Sequence, residues 1–269
     1  MLDHPPVFAD PFARLLLSDE ARAILETDPG RGNRGALSSS LRAFLAVRSR
    51  IAEDRLAAAV GAGVRQYVLL GAGLDTFACR NPFPDLRVFE VDHPRTQAWK
   101  RERLAAAEVT LAPGTRFVPV DFERDSLSRS LAEHGFDPKA STAISWLGVV
   151  PYLEVATIWT TLAWAAAVVG DRGHIVFDYG SRPRWWQLGQ RLALRALAGR
   201  VAAAGEPFRT TLRAGEVRER LLACGFAQVE DLDAAAMNRE YFSDRADGLR
   251  LRGSGHVAIA SRGAVKARS

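Results

Sequence analysis

Cysteine is scarce in this 269-residue chain, and a long apolar run is absent. The two cysteines, Cys79 and Cys224, lie far apart and form no C-x-x-C or Cys/His cluster, so neither a disulfide nor a metal site is expected. No stretch approaches the roughly 20 apolar residues that a membrane helix needs. The N-terminus also lacks the basic-then-apolar pattern of a secretory signal. We therefore expect a cytoplasmic protein with reduced thiols and no membrane partner.

Lysine is also scarce, although the chain carries a net charge of +5 and has a pI near 9.7. The only lysines are Lys100, Lys139 and Lys266, so nearly all of the positive charge comes from arginine. The arginines are scattered among acids and form no basic stripe with interleaved aromatic residues. A solvated, arginine-rich surface is favoured over a nucleic-acid site, and we expect no nucleic-acid partner.

Alternating strand and helix patterns indicate an α/β fold. The composition, 48% hydrophobic and 25% charged, is that of an ordinary soluble domain. Seven β-rich runs alternate with helices rich in Ala and Leu, which predicts a mostly parallel seven-stranded sheet with helices on both faces. The predicted strands are 67–70, 87–91, 116–120, 143–147, 174–179, 227–232 and 256–260. The predicted helices between them are 96–104, 127–134, 155–168 and 215–224.

Two helical additions accompany this pattern. Residues 1–62 are predicted to form an N-terminal helical cap, with short pieces near 11–17 and 21–25 and a longer helix over about 41–60. Residues 63–269 form the main domain. Within it, the long segment 181–214 follows the fifth strand and would overhang the ligand crevice, as a lid for substrate or as an extra packing helix.

The stretch Gln66–Thr76 combines a buried strand with a sharp glycine turn. Gly71 and Gly73 lack a Cβ, so a ligand can approach the backbone there. Asp92 ends the next strand about twenty residues later, where a doubly wound sheet holds ribose hydroxyls. A glycine turn in an ordinary α/β core, with Asp92 as a helix-capping acid, is the alternative. The pattern favours a nucleoside pocket.

The third glycine of the dinucleotide fingerprint is missing, because Thr76 occupies its place. The neighbouring Asp75 carboxylate would repel a pyrophosphate, since like charges disfavour each other. The same charge suits a ligand that carries an ammonium group near the glycines. S-adenosylmethionine (SAM) has that group together with a ribose and no phosphate. The loop therefore favours SAM over NAD as the cofactor.

Six segments carry a resemblance to a known family: Arg48–Arg50, Leu69–Thr76, Val88–Pro94, Val118–Phe122, Trp146–Leu153 and Leu221–Phe226. Together they resemble the leucine carboxyl methyltransferase family of class I SAM-dependent methyltransferases, and more narrowly its bacterial small-molecule O-methyltransferase branch. The resemblance covers nearly the whole chain. It implies a Rossmann-like class I methyltransferase fold, SAM as cofactor and a small-molecule methyl acceptor, and it leaves the oligomeric state open.

The resemblance also implies cofactor contacts. The family uses an arginine on the long N-terminal helix to clamp the carboxylate of SAM, and Arg48 fits that place better than Arg50. Asp121 would accept the adenine amino group and Phe122 would pack on the ring, with a turn-forming aspartate as the alternative for Asp121. Many relatives carry an acid where this chain has Leu147, so that contact to SAM is lost or is supplied elsewhere.

The catalytic residues are less evident than the cofactor residues. Tyr152 and Tyr179 lie at or just beyond strand ends, where they could orient an acceptor or simply pack. A carboxylate acceptor needs no general base, whereas a phenol or alcohol does, and histidine is the usual choice. No histidine forms an evident pair with an acid in the sequence, which mildly favours carboxyl methylation.

The predicted function is SAM-dependent O-methylation of a carboxylate or hydroxyl of a small molecule, such as a secondary metabolite. Three alternatives stay open. Methylation of a protein C-terminal carboxylate would need an open groove. A non-catalytic SAM-binding protein is suggested by Leu147. A nicotinamide-dependent oxidoreductase is disfavoured by Thr76.

Overall fold

Seven strands form one sheet in the computed structural model, which describes residues 3, 5–28, 30, 36–182 and 209–263. The strands are Gln66–Leu70 (β1), Arg87–Asp92 (β2), Thr115–Pro119 (β3), Thr142–Trp146 (β4), His174–Gly180 (β5), Gln228–Leu232 (β6) and Gly255–Ser261 (β7). Their order is β3-β2-β1-β4-β5-β7-β6, and β7 is antiparallel to both neighbours while the other pairs are parallel. The predicted mostly parallel sheet is confirmed, and every predicted strand agrees to within one residue at each end.

The helices flank the sheet in the predicted alternation. They are Asp19–Thr27 (α1), Ala36–Gly61 (α2), Phe77–Arg80 (α3), Pro94–Ala106 (α4), Leu127–Glu133 (α5), Val155–Val168 (α6), Ala214–Ala223 (α7) and Ala234–Tyr241 (α8), with 3-10 turns at Ala13–Leu16 and Val150–Tyr152. The short helix α8 was not predicted, and α3 was expected only as the helix into which the glycine turn after β1 leads, without bounds. A capping signal for α8 was present, because the Asp233 side chain accepts a hydrogen bond from Ala236 N at 2.8 Å.

Both faces of the sheet are covered. On one face the strands pack against α5, α6 and α7, and on the other they pack against α2, α3 and α8. Successive residues of β1 alternate between the two: Val68 and Leu70 face the first layer, and Tyr67 and Leu69 face the second. Because neither face meets water, β1 and β4 are buried at every position, which explains why apolar residues predominate in both.

The N-terminal residues contact Arg80 at the end of α3, the short helix that follows β1. Its guanidinium donates to the Glu53 carboxylate of α2 at 2.6 and 2.5 Å and lies 4.8 Å from the ring of Phe8. Asp10 stands 3.8 Å from the same guanidinium. The start of the chain and α2 therefore meet beside the turn that follows β1.

The predicted lid segment 181–214 lies mostly outside the described residues, which resume at residue 209. Arg209 N and Thr210 N donate to the Pro151 carbonyl at 2.8 and 3.1 Å, and Leu212 N donates to the Gly180 carbonyl at 3.0 Å. The chain thus returns to the sheet between the 3-10 turn after β4 and the end of β5.

Candidate functional site

The carboxyl ends of β1 to β5 share one edge of the sheet, and the predicted cofactor residues lie along it. Residues 71–73, here called the glycine bend, follow β1; Asp92 ends β2; Asp121 and Phe122 follow β3; Gly148 follows β4. The strand order reverses between β1 and β4, and doubly wound sheets bind ligands at that switch point. The fold brings these residues to the place where a ligand crevice is expected.

The glycine bend needs glycine for two physical reasons. Gly71 and Gly73 adopt φ values of +64° and +48°, the left-handed region that side chains disfavour. A Cβ on Gly71 would stand 2.3 Å from Val149 Cγ2, so the bend also passes too close to the chain after β4 for any side chain. At Gly73 the nearest atoms to such a Cβ are 3.8 and 3.9 Å away, an ordinary van der Waals distance, so there only the φ value requires glycine.

Asp92 closes the glycine bend onto β2. Its Oδ2 accepts a hydrogen bond from Gly73 N, and its Oδ1 accepts one from His93 N at 2.6 Å. Two backbone donors therefore orient a half-buried carboxylate at the tip of β2. A carboxylate has about four acceptor positions, so the Asp92 oxygens keep capacity for further donors.

Beneath the glycine bend lies a buried ion pair that the sequence reasoning missed. Lys100 Nζ donates to Glu90 Oε2 at 2.6 Å and to the Asp75 carbonyl at 2.5 Å. Both charged side chains are only 2% exposed. Asp75 in turn starts α3, since its Oδ1 accepts from Phe77 N at 2.7 Å. Lys100 thus links the chain after the bend, at Asp75, to β2. In the sequence, the one available signal for this pair was Glu90, an acid within a mostly apolar strand.

Glu90 has an unusual protonation equilibrium for this reason. Burial raises the pKa of Glu90 to about 7, and the nearby Lys100 ammonium opposes that rise. Its Oε1 is buried without a hydrogen-bond partner among the described residues. The buried Glu90 carboxylate therefore depends on its contact with the Lys100 ammonium.

Arg48 reaches the same edge from α2. Its Nη1 donates to Asp178 Oδ2 at 2.7 Å, while Asp178 Oδ1 accepts from Gly148 N at 2.5 Å. Gly148 has φ +75°, and a Cβ there would lie 3.0 Å from the guanidinium. By contrast, Arg50 is exposed and donates to the Val7 carbonyl at 3.3 Å. Of the two arginines, Arg48 is the one at the carboxyl edge.

Asp178 brings a carboxylate next to the backbone at Leu147. Leu147 itself packs with the apolar cluster between the sheet, α2 and α8. Asp178 lies on the neighbouring strand β5, and its side chain is only 5% exposed. Its Oδ1 accepts from Gly148 N, the residue that follows Leu147. Sequence reasoning missed this residue, because the contact comes from a neighbouring strand.

Asp121 and Phe122 follow β3 in a tight turn. Asp121 Oδ1 accepts from Glu123 N at 3.0 Å, and Asp121 N donates to Asp125 Oδ2 at 2.8 Å. Asp121 therefore forms the turn, as its alternative interpretation proposed, and its half-buried side chain remains at the edge. Phe122 is half-buried against the largest apolar cluster.

The two predicted catalytic tyrosines differ in their surroundings. Tyr152 ends the 3-10 turn after β4 and is half-buried. Tyr179 on β5 is 2% exposed, and its hydroxyl lies 3.0 Å from both carboxylate oxygens of Asp231. The same carboxylate lies 3.0 and 3.1 Å from His256 Nδ1. The structure therefore contains a histidine–acid pair that the sequence does not reveal. The histidines no longer favour carboxyl methylation over methylation of a hydroxyl.

The other histidines lie elsewhere. His93 caps α4 by accepting from Arg95 N at 3.2 Å, and His134 Nδ1 lies 2.7 Å from the Ser130 carbonyl on α5. His174 is buried at the start of β5, where burial lowers its pKa to about 4. His4 lies outside the described residues.

Cys79 and Cys224 are free thiols, and burial raises the pKa of Cys79 to about 11. Within the described ranges, no three His, Cys, Asp or Glu side chains are grouped so that they could bind a metal ion. The helices of the same ranges include none with the length and apolar character needed to cross a bilayer.

Comparison with known proteins identifies the family. The family model described as "Leucine carboxyl methyltransferase" matches residues 2–166. The chain belongs to this family. The match includes α2, the glycine bend, Asp92 and the turn after β4.

Curated relatives extend the match. "Putative S-adenosyl-L-methionine-dependent methyltransferase YktD" of Bacillus subtilis is 34% identical over 70% of this chain and 62% of its own length. A Mycobacterium marinum relative described in the same words, without a gene name, is 33% identical over 92% of this chain and 75% of its own. The chain thus covers less than two thirds of the Bacillus relative's length.

A solved structure supports the fold. The crystal structure of "a putative methyltransferase" from Thermobifida fusca matches 94% of this chain and 93% of its own, with a TM-score of 0.57 and 19% identity. The fold is the Rossmann-like class I methyltransferase fold, as predicted.

Proposed function

We propose that this protein is a SAM-dependent O-methyltransferase that acts on a small molecule. The observation that carries the proposal is the Asp92 carboxylate, which two backbone N–H groups orient beside the glycine bend at the switch point of the sheet. A carboxylate in that position can accept from both hydroxyls of a ribose.

The residues of the edge fit SAM in three respects. The Asp92 oxygens have capacity for further donors, and a Cβ position on Gly73 meets nothing closer than 3.8 Å. Arg48 Nε is buried and has no hydrogen-bond partner within the described part of the chain, so this guanidinium can still bind a carboxylate. Asp75 places a carboxylate beside the bend, which would repel a pyrophosphate.

The proposed roles follow from these positions. Gly71, Gly73 and Asp75 would hold the amino-acid part of SAM, with Arg48 on its carboxylate. Asp92 would bind the ribose, Asp121 would accept the adenine amino group and Phe122 would pack on the ring. Residues 1–62 would cap this site, and segment 181–214 would cover the acceptor.

When bound, SAM would supply a methyl group that is attached to a sulfonium. An acceptor oxygen attacks the methyl carbon in line with the carbon–sulfur bond, and the thioether is the leaving group. The protein's own task is to hold that oxygen close to the methyl carbon and to exclude water, because positioning supplies much of the rate in such reactions. Tyr152, in the turn after β4, would orient the acceptor. The rival functions differ in the ligand: a C-terminal peptide, no acceptor at all, or a nicotinamide cofactor.

Calorimetric titration with SAM, S-adenosylhomocysteine and NAD tests the cofactor. We expect binding of the first two and none of NAD. Asp92→Ala should weaken S-adenosylhomocysteine binding roughly 100- to 10,000-fold, because two hydrogen bonds to a charged group are lost, each contributing about 1.5–3 kcal/mol.

Asp92→Asn separates binding from folding, since the amide oxygen can still accept from Gly73 N. Asp85→Ala, at an exposed loop aspartate, is the matched control and should bind like the wild type. Binding of NAD alone, or unchanged binding by Asp92→Ala, would refute the proposal. Labelled SAM incubated with a small-molecule extract and with C-terminal peptides then separates the acceptor classes.

A further inference from the structure

Three side chains from neighbouring strands meet on one face of the sheet: Tyr179 of β5, Asp231 of β6 and His256 of β7. Tyr179 and His256 are register partners, and their rings lie 5.2 Å apart. The Asp231 carboxylate contacts both the Tyr179 hydroxyl and His256 Nδ1 at 3.0 Å. We call these three residues the Tyr-Asp-His cluster.

The hydrogen bonds of this cluster determine which nitrogen of His256 carries the proton. An ionised carboxylate only accepts, so Asp231 is bonded to a protonated Nδ1 and to the Tyr179 O–H. In the neutral ring, Nε2 is then the unprotonated nitrogen. Nε2 has no hydrogen-bond partner among the described residues, and it is not one of their buried unsatisfied atoms. The ring therefore presents a basic nitrogen to the outside.

The cluster is level with the end of β4. Trp146 pairs with Phe177, so Tyr179, two residues further on, is level with Gly148. The rings of Trp146, Phe177, Tyr179 and His256 follow one another at 6.3, 6.0 and 5.2 Å. With strands spaced about 4.8 Å apart, His256 lies roughly 10 Å across the sheet from β4. It is thus at the carboxyl edge, on the side away from Asp92 and next to the returning chain at Leu212.

We propose that His256 is the general base of the reaction and that the acceptor is a hydroxyl, a phenol or an alcohol, rather than a carboxylate. This inference rests on the proposed methyltransferase function. His256 Nε2 takes the acceptor's O–H proton as the oxygen bonds to the methyl carbon and the carbon–sulfur bond breaks. The products are a methyl ether, S-adenosylhomocysteine and an imidazolium, which releases its proton to water.

Asp231 and Tyr179 are positioning residues in this scheme. Asp231 orients the imidazole and stabilises the imidazolium. Burial and the Asp231 charge raise the pKa of Tyr179 above its ordinary value, so the phenol remains a donor. The contacts of His256 with titratable groups in the described residues are with Asp231 from β6 and Tyr179 from β5. A carboxylate acceptor, already ionised near pH 7, would give this pair no task.

The first test identifies the product bond. The wild type is incubated with methyl-labelled SAM and the small-molecule extract of its source organism, and the products are treated with mild alkali. Methyl ethers survive this treatment, whereas methyl esters release labelled methanol. Label that resists alkali is expected, and alkali-labile label would overturn the inference while leaving the methyltransferase function intact. No transfer at all, with S-adenosylhomocysteine still bound, would refute the proposed function itself.

The second test concerns the histidine. His256→Gln should lower kcat roughly 100- to 10,000-fold at pH 7, the usual range for general-base catalysis, with unchanged S-adenosylhomocysteine affinity. The deficit should shrink as the pH approaches the acceptor's pKa, because an ionised oxygen needs no base. His134→Gln, at a histidine on α5, is the control and should keep full activity. A deficit independent of pH would indicate a merely structural role.

A third measurement does not need the acceptor. Nitrogen-15 NMR of the wild type should show His256 protonated at Nδ1 and unprotonated at Nε2 at pH 8, and Asp231→Asn should alter that preference. Protonation at Nε2 in the wild type would overturn the assignment.

Discussion

The proposed site has two halves that are assembled in different ways. We call the part of the carboxyl edge around β1 and β2 the cofactor half, and the part around β5, β6 and β7 the acceptor half. In the cofactor half each functional group directly follows its own strand, as the glycine bend follows β1 and Asp92 ends β2. In the acceptor half one polar cluster takes a single residue from each of three strands. The first arrangement leaves a local signature in the sequence, and the second leaves none.

The two halves also differ in how they satisfy charge. Under the glycine bend, Lys100 and Glu90 are almost completely excluded from water and depend on each other. In the Tyr-Asp-His cluster, the side chains of Asp231 and His256 are 20% and 15% exposed. Water therefore still screens the charge of the Asp231 carboxylate. Breaking a contact should therefore cost more stability in the cofactor half.

Lys100→Met gives the largest expected loss. Removing one partner of a buried pair typically costs about 3–5 kcal/mol of unfolding free energy, because the other charge stays uncompensated. Urea denaturation measures this loss. The double variant Lys100→Met with Glu90→Leu should regain most of the stability. A single variant as stable as the wild type would mean that the two halves do not differ in this way.

Gly71→Ala should have an intermediate effect. The left-handed backbone costs roughly 1–2 kcal/mol, and the contact with Val149 adds about 1–3 kcal/mol. Gly135→Ala is the matched control, since Gly135 has φ +84° but open space around its Cβ position. Thermal or urea denaturation of both variants measures the difference. Equal losses would show that the close approach to Val149 carries no cost.

Tyr179→Phe should have the smallest effect. It removes one hydrogen bond to Asp231, and the His256 contact remains, so we expect about 1 kcal/mol less stability. S-adenosylhomocysteine affinity should be unchanged, because the residue belongs to the acceptor half. Calorimetry measures this affinity. Weaker S-adenosylhomocysteine binding in this variant would place the cluster in the cofactor half and contradict the division of the edge into two halves.

The fold was predictable because β-rich runs alternate with helices rich in Ala and Leu. All seven strands were located from such runs, whereas α8, which was missed, is short and adds little periodicity. The glycines, Asp92, Asp121 and Phe122 are adjacent to strand ends, whereas Arg48 was a candidate only through the family resemblance. The roles assigned to them stay predictions that the binding experiments test.

Asp178 and Lys100 show where sequence reasoning reached its limit. Asp178 contacts the backbone after Leu147 from 31 positions away through the pairing of β4 with β5. Lys100 contacts Glu90 across a strand-to-helix connection, and its position on α4 alone does not indicate that it is buried. The first contact depends on which strands are neighbours, and the second depends on how α4 packs on the sheet.

The sequence by itself determined the class of fold and the family and nominated the proposed cofactor residues, because these depend on apolar periodicity and on glycines next to strand ends. The tertiary structure alone decided which acid contacts Arg48 and which histidine has an acidic partner. Those pairings exist only because strand pairing and the packing of α2 on the sheet bring distant residues within about 3 Å of each other.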